Sequence, residues 1–575
     1  MGLAIVGVLV IVLMVAVTGL SKKLGVAAPL LLVVVGLALS YTPGVPDIEV
    51  PHEWILTGVL PPLLYAAAIK VPVIDFRRNL GAITSLSVVL VLVSALVTGL
   101  VLYALLPDLD LAAAIALGAV VSPPDAVAAT AIGKRLGLPP RLLTVLEGEG
   151  LVNDATALVL LRSALAVAAG TMSGVWSGIA DFGYAVVVAV AVGLLVGVVT
   201  VAVRARVDDP VLDTALSLVV PFVAFIPAEE LGASGVLAVV VAGLSAGHRG
   251  AAVLDAQARI GDDVNWRTVQ FLLESAVFLL MGLELHDLVD SIDQDLLSIP
   301  HTVLIGLLVT AVLLVVRLAW VFPLVFLLRR RAGRAERRIM RLWLRLEQMH
   351  ERPADPRQQR RRRLLRRLYA QRRADLEQER RDGLGWRGAA VLGWSGMRGV
   401  VTLAAAQSLP STVPYREQLV LIAFTVAVTT LLLQGGTLPA LIRVLGIRGV
   451  DTTADLRESA ALFDELADAG LRALDAPDTV LDAGARIDPD VVERVRQDTF
   501  LRSESNWEQA HAREGEDAPA PHDQYRQLRL AVVRAEREAL ITARRHGRYP
   551  SRILADAQRV LDLEETRLRP RTTEH

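Results

Sequence analysis

The stretches LAIVGVLVIVLMVAVTGL and VLIGLLVTAVLLVVRLAWVFPLVFLL run for 18 and 26 residues with a single charge between them. A helix of about 20 apolar residues crosses the ~30 Å hydrocarbon core of a bilayer. Inside that core every backbone N–H and C=O must be satisfied within the segment or in a closed barrel, so runs of this kind fold as helices. Up to about residue 328 nearly every stretch between turn signals is apolar, and the 575-residue chain is 53 % hydrophobic overall. The fold class is therefore an all-α polytopic membrane protein. The first run has neither a basic leader region nor a small-residue cleavage site, so it reads as a retained span and not a signal peptide.

Thirteen candidate spans follow, near 3–20, 24–41, 54–70, 81–106, 111–132, 141–165, 181–204, 211–227, 231–247, 266–286, 301–328, 387–409 and 416–445. Basic residues concentrate in cytoplasmic loops, which gives a test of the count. The loops after spans 1, 3, 5, 7 and 9 hold Lys22, Lys23, Lys70, Arg77, Arg78, Lys134, Arg135, Arg141, Arg204, Arg206, Arg249, Arg259 and Arg267. The loops after spans 2, 4, 6, 8, 10 and 12 hold only Arg416, and several are acidic. One missed helix would scramble this alternation. The N-terminus is placed outside and the C-terminus in the cytoplasm, in a multi-pass protein of the cell inner membrane.

Residues 1–449 form the transmembrane domain, interrupted by a cytoplasmic basic loop at 329–386, and residues 450–575 form a helical cytoplasmic tail expected to be regulatory. The loop carries 20 arginines and is held at the membrane by its flanking spans. Anionic lipid headgroups, worth about 1 kcal/mol per basic side chain, are its expected partner in preference to nucleic acid; a plain topology anchor is the alternative. The tail is split at EGEDAPAPHD and contains no glycine-rich phosphate loop after a strand, so no nucleotide cofactor is expected. The chain has no cysteine, which excludes disulfides, thiolate metal sites and cysteine nucleophiles.

Two spans are interrupted. In VVSPPDAVAAT, Pro123 and Pro124 cannot continue a helical ladder and free several carbonyls. In GWSGMRGVVTLAAA, Gly396 and Gly399 flank Arg398. Irregular backbone at membrane depth is tolerated only where it is buried in protein or lines a cavity. The two breaks lie in spans 5 and 12, an odd offset of seven, so they cross the membrane in opposite directions. That is the pattern of inverted six-helix repeats, spans 1–6 and 8–13, and paired discontinuous helices point to a transporter's substrate site.

Between the breaks lies LEGEGLVNDATALVLL, with Glu147, Glu149, Asn153 and Asp154 in an apolar span. Asp154 lies about 13 residues into its span, Asp125 about 14 and Arg398 about 11, and at ~1.5 Å per residue all three reach mid-depth. Ionisable groups there are costly and usually functional. Asp154, the Asn153 amide and carbonyls freed near Ser122 could supply oxygen donors to a hard monovalent cation. Burial disfavours the charged form of a carboxylate, so a proton competes for the same oxygens. Arg398 is expected to pair with Glu149 or Glu147, compensating buried charge. A purely structural ion-pair network remains open for these groups, and Glu274, another mid-depth acid, has no assigned role.

The segments EGEGLVND, SPPDAV and GMRGVVTLA resemble the signature regions of the sodium/proton exchangers, the first monovalent cation:proton antiporter family. LPPLLYAAAI, GVLAVVVAGLSAG and FLLMGLEL are similar to further family segments in the right order, so the resemblance covers residues 1–445. It implies a cofactor-free, homodimeric transporter that serves pH homeostasis by exchanging Na+, with Li+ or K+ as alternatives, for H+ by alternating access. It implies that Asp154 binds either cation or proton, and that Asn153 marks electroneutral exchange where electrogenic relatives carry a second aspartate. It aligns Glu149 with the family's acid beside the ion, and Arg398 with the arginine of the broken helix. The chain departs from the family at Gly150, where serine is common, at Pro124, where threonine is common, and at Tyr65–Ala66, where an aromatic–acid pair is common. Fewer side-chain oxygens are then available to select an ion.

Two other readings are a cation channel and a rhomboid-like intramembrane protease. The protease reading rests on GASG at 232–235. A general base must reach the serine nucleophile, and none of the nine histidines falls mid-span. Paired broken helices and a single titrating site favour alternating access over a channel.

Overall fold

The computed structural model describes residues 2–24, 28–42, 52–170, 175–290, 292, 297–348, 385–410, 412–447, 452–474, 490–497 and 521–545, with isolated positions elsewhere. The chain divides into two units, Met1–Ile447 and Arg448–His575. In the first unit the regular structure is helical: α1 (Gly2–Leu24), α2 (Ala28–Ser40), α3 (Ile55–Ala68), α4 (Leu80–Leu105), α5 (Leu111–Val121), α6 (Ala126–Arg135), α7 (Pro140–Ala168) and α8 (Val175–Arg204). There follow α9 (Pro210–Glu230), α10 (Gly235–Val253), α11 (Ala256–Asp290), α12 (Ile299–Gln348), α13 (Trp386–Trp394), α14 (Val400–Gln407) and α15 (Arg416–Leu445). Among the described residues nine helical stretches are long and apolar enough to cross a membrane, and three shorter apolar helices accompany them. Most helix ends fall within a few residues of the hydropathy boundaries. The exceptions are α11, which starts ten residues early at Ala256, and α12, which runs from the apolar span into the basic segment as far as Gln348.

Short side chains and caps set the helix starts. Asp110 accepts from Ala112 N–H at 3.0 Å to start α5, and Asp209 accepts from Val211 N–H at 2.7 Å to start α9. Ser234, the residue of the GASG motif, accepts from Leu237 N–H at 3.3 Å and caps α10. It serves here as a helix start.

The helices sort into two groups by packing. One, the panel, contains α1, α2, α3, α8, α9, α10 and α11, with α10 lying against α3, α8 and α9, and α2 against α11. The α2–α11 crossing is close because Gly36 and Gly282 face each other: a Cβ on either would meet the other helix's backbone. Small residues of this kind let membrane helices approach without help from water. At the panel's edge the buried Arg204 reaches Asp213 of α9 at 2.6 and 2.7 Å and Asp262 of α11 at 2.8 Å, clamping three helices. The other group, the core, contains α4, α5, α7, α12, α13, α14 and α15, with α5 packed on α4, α7, α14 and α15. The second unit contains α16 (Thr452–Leu474) and α17 (Pro521–Arg545), and Arg529 pairs with Glu564 at 2.6 Å. The expected linker at 514–523 is helical at its last three residues, which open α17, while 514–520 and most of the basic loop, at 349–384, fall outside the described residues.

Candidate ion-binding site

Both sequence breaks are present and they touch. α5 ends at Val121 and α6 starts at Ala126, while α13 ends at Trp394 and α14 starts at Val400. The N–H of Asp125 donates to the Met397 carbonyl at 2.5 Å, joining the two irregular segments. Gly399 lies so near the Asp125 carboxylate that a Cβ there would overlap it. Four helix ends therefore meet in the core, and each has a partial charge of about half a unit to be compensated.

Arg398 serves the C-terminal end of α5. Its Nε donates to the Val121 carbonyl at 3.0 Å and its Nη2 to the Ser122 carbonyl at 3.4 Å, and Nη1 donates to Gly396. These carbonyls lie past the last helical donor: the Asp125 N–H that would continue the ladder to Val121 is given to Met397 instead. The expected pairing of Arg398 with Glu149 or Glu147 is thus corrected: the negative end of α5 takes the guanidinium instead. At Ser122 the carbonyl also accepts from Arg398 and the hydroxyl donates to the Gly118 carbonyl at 2.6 Å.

Glu149 is held by Arg317 of α12, a residue the sequence reading did not single out. The contacts are bidentate, 2.5 and 2.9 Å, with Glu149 and Arg317 only 1 % and 2 % exposed. Arg317 also donates to the Leu392 carbonyl, in the last turn of α13, at 3.2 and 3.0 Å. One guanidinium thus compensates an acid and the end of the second half-helix together. The signal was available: Arg317 is the lone charge in LLVTAVLLVVRLAWVFPLVFLL. Glu147, assigned to the same buried pair, instead meets Lys134 at 2.8 Å at a half-exposed edge. Two positions on, α7 has turned by more than half a circle, so the two glutamates face different environments.

Asp125 occupies the positive ends. Its carboxylate accepts from Val127 N–H at 2.8 Å, capping α6, and it lies against the start of α14 at Gly399. An anion between helix N-termini is stabilised without a cation of its own. Asn153 is fully buried; its Nδ2 donates to the Pro124 carbonyl at 2.6 Å, and its Oδ1 has no hydrogen-bond partner. Asp154 is half-buried and makes no hydrogen bond or ion pair with any described residue, although the Asp125 charge is near enough to act on it. Every other acid at the crossing has a partner.

One departure from the family pattern has a packing cause. At Gly150 a Cβ would lie 2.6 Å from the Ala126 Cβ, so glycine is what lets α7 approach the break. Tyr65 is fully buried in the panel with its ring 4.9 Å from that of Trp266. Glu274 of α11 is half-buried and accepts from Gln270 at 2.7 Å, and Lys70 donates to Gln270 at 3.1 Å.

Comparison with known proteins adds the following. Residues 8–444 match the family model described as sodium/hydrogen exchanger, transmembrane. A protein of Mycobacterium tuberculosis (strain H37Rv), described as an uncharacterized Na+/H+ exchanger, is 30 % identical over 98 % of this chain and 96 % of its own length. The low-affinity Na+/H+ antiporter NhaS1 of Synechocystis is 29 % identical over 73 % of this chain and 70 % of its own. A sodium, potassium, lithium and rubidium/H+ antiporter of Bacillus pumilus is 28 % identical over 72 % of this chain and 58 % of its own. In structure the chain is similar to the sodium proton antiporter MjNhaP1 from Methanocaldococcus jannaschii, with TM-score 0.57 and 16 % identity, over 78 % of this chain and all of that one.

Proposed function

Because the chain belongs to the sodium/hydrogen exchanger family, we propose that it exchanges Na+ for H+ one for one, by alternating access, with Asp154 as the carboxylate that both ions share. The observation that carries this is the isolation of Asp154. Glu149, Asp125 and Glu147 each have a fixed partner, whereas Asp154 and the Asn153 Oδ1 beside it have none among the described residues. An unpartnered buried polar atom costs free energy unless a ligand satisfies it. A monovalent cation is held by the Asp154 carboxylate and the Asn153 amide oxygen, and hard cations favour oxygen donors. A proton on Asp154 neutralises the same charge, so the two ligands exclude each other.

One negative charge matched by either one proton or one monovalent cation makes the cycle electroneutral, because Asn153 adds an oxygen without a second charge. Arg398 and Arg317 hold the half-helices and leave the shared site to Asp154. Ser122 and Asp125 shape the break beside it. A second reading, exchange of K+ or Li+, is favoured by the sparse donor set: Ala66, Gly150 and Pro124 offer no side-chain oxygen. A relative carries four alkali cations by name.

The topology is thirteen spans in two inverted repeats. Spans 4–6 and 11–13 lie in the core, and spans 1–3 and 8–10 in the panel, the offset of seven that the sequence pattern requires. The side-chain contacts group the helix ends into the same two sets as the alternation of basic loops. Lys70–Gln270, Lys134–Glu147 and Arg204–Asp262 join ends assigned to the cytoplasm; Arg162–Glu229 and Glu284–Gln407 join ends assigned outside. The protein sits as a homodimer in the cell inner membrane, serving pH homeostasis, with its basic loop on anionic headgroups and its tail regulatory. Purified protein in proteoliposomes, challenged separately with Na+, K+ and Li+, tests the function: cation-driven proton flux that saturates supports exchange. Cation flux that runs without any proton movement means a channel.

A further inference from the structure

α11 is unbroken from Ala256 to Asp290 and presents two unlike halves to the core. Glu274 is half-buried and polar-bonded toward the cytoplasmic end. Ten residues on, about 15 Å at ~1.5 Å per residue, Glu284 Oε2 accepts from Gln407 Nε2 of α14 at 2.6 Å. Between these levels Ile55, Val277 and Ala404 form a separate apolar cluster, 6 %, 6 % and 2 % exposed, with Leu56, Val59 and Leu280 packed on it. This cluster belongs to neither group's own interior. It joins α3 and α11 of the panel to α14 of the core.

Two further features converge on it. Ile55 opens a π-turn, Ile55–Val59, at the start of α3, and such turns concentrate at functional places. Gln407, the last residue of α14, has its carbonyl fixed by Arg416 Nη2 at 2.9 Å, and Arg416 Nε holds the Leu409 carbonyl at 2.8 Å. Arg416 is the one basic residue of the outside loops, and its use here is to fix the end of α14. Elsewhere on the same face Arg162 of α7 meets Glu229 of α9 at 2.7 Å, a second bridge from core to panel.

We propose that Glu284 and Gln407 are the latch of an extracellular gate, with Ile55, Val277 and Ala404 as its plug. The latch closes the site from outside while Asp154 communicates with the cytoplasm, and it must part each time the core moves past the panel. This rests on the antiport reading above, since alternating access requires that the two sides never open together. Latch and plug divide the work: the apolar cluster excludes water and ions, and the tip-to-tip polar contact fixes the register of α14 on α11.

The absence of cysteine makes the test direct. Two long side chains that meet at their tips leave a gap when both are shortened to cysteine, which a short linker spans more readily than an S–S bond of about 2 Å. Glu284→Cys/Gln407→Cys is therefore treated with a short bifunctional thiosulfonate, each thiolate displacing a sulfinate to form a mixed disulfide. Native protein is assayed first; no cation-driven proton flux there overturns the antiport reading itself. Given that flux, crosslinking should lower it at least about tenfold, because a locked population cannot shift, and dithiothreitol should restore it in the same vesicles. Crosslinked protein that still transports overturns the gate and leaves antiport standing, as does failure of both this pair and Ile55→Cys/Ala404→Cys to crosslink. If the variants are inactive when reduced, labelling decides. Ala404→Cys should resist an impermeant maleimide added outside, and added Glu284→Ala should speed its labelling severalfold; an unchanged rate overturns the latch.

Discussion

Replacing Arg317 with methionine removes a guanidinium that binds Glu149 through two contacts, 2.5 and 2.9 Å, and the Leu392 carbonyl through two more. Glu149 at 1 % exposure then keeps an uncompensated charge in the core. Breaking a buried pair by deleting one partner costs about 3–5 kcal/mol, whereas neutralising both often costs little. Glu149→Gln in the Arg317→Met background should therefore recover about 2–4 kcal/mol, the remainder being the orphaned Leu392 carbonyl at about 1–3 kcal/mol. Arg398→Met should also destabilise, but Glu149→Gln should not rescue it, because Arg398 bonds the Val121, Ser122 and Gly396 carbonyls and not the acid. Thermal stability of the detergent-solubilised variants, followed by loss of the monodisperse chromatographic peak, reads all five proteins on one scale. Each kcal/mol should move the midpoint by about 2–4 °C or less in a chain of this size. Rescue of Arg398→Met but not of Arg317→Met by Glu149→Gln would refute the assignment of partners. Equal rescue of both would show that the two guanidiniums share the acid.

Asp154→Asn should leave a folded, inserted protein with no cation-driven proton flux, since an amide cannot alternate between charged and neutral forms; wild-type-like flux would remove Asp154 from the shared site. Asp125→Asn should be milder, because asparagine caps a helix about as well as aspartate, and retained flux with intact thermal stability would show it. A potassium-diffusion potential imposed on proteoliposomes should not drive net exchange, with sodium-driven flux (or lithium-driven, if sodium is not carried) as the readout; end-points that move with the potential would mean a second charge crosses. Gly150→Ser, which restores the family's common residue, should destabilise by about 1–3 kcal/mol as overpacking does, because its Cβ meets Ala126; a more stable or more active variant would show that the break can yield there.

Hydropathy and charge marked most of the helices. Pro123–Pro124 and Gly396–Gly399 marked both breaks, since proline and glycine act on the backbone where they stand. The crowding of Glu149, Asn153 and Asp154 in an apolar span marked the stretch of α7 that packs against the break at Pro124–Ala126. These are local properties, and the energetics of hydrocarbon makes them decisive: a span is apolar or it does not insert, and a ladder is continuous or its carbonyls must find other donors. The partners of the buried charges were decided by tertiary structure alone. Counting residues set Arg398 at the depth of the acids, but many positions around a bundle share one depth. Arg398 lies 277 residues from the Val121 carbonyl it serves, and Arg317 lies 168 from Glu149. Which guanidinium met which negative group depended on how α5, α7, α12 and the two half-helices packed, and on the unpaired carbonyls that the breaks left in the core. The same packing set Asp154 beside Asn153 with no hydrogen-bond or ion-pair partner among the described residues, an outcome that no local stretch of sequence carries.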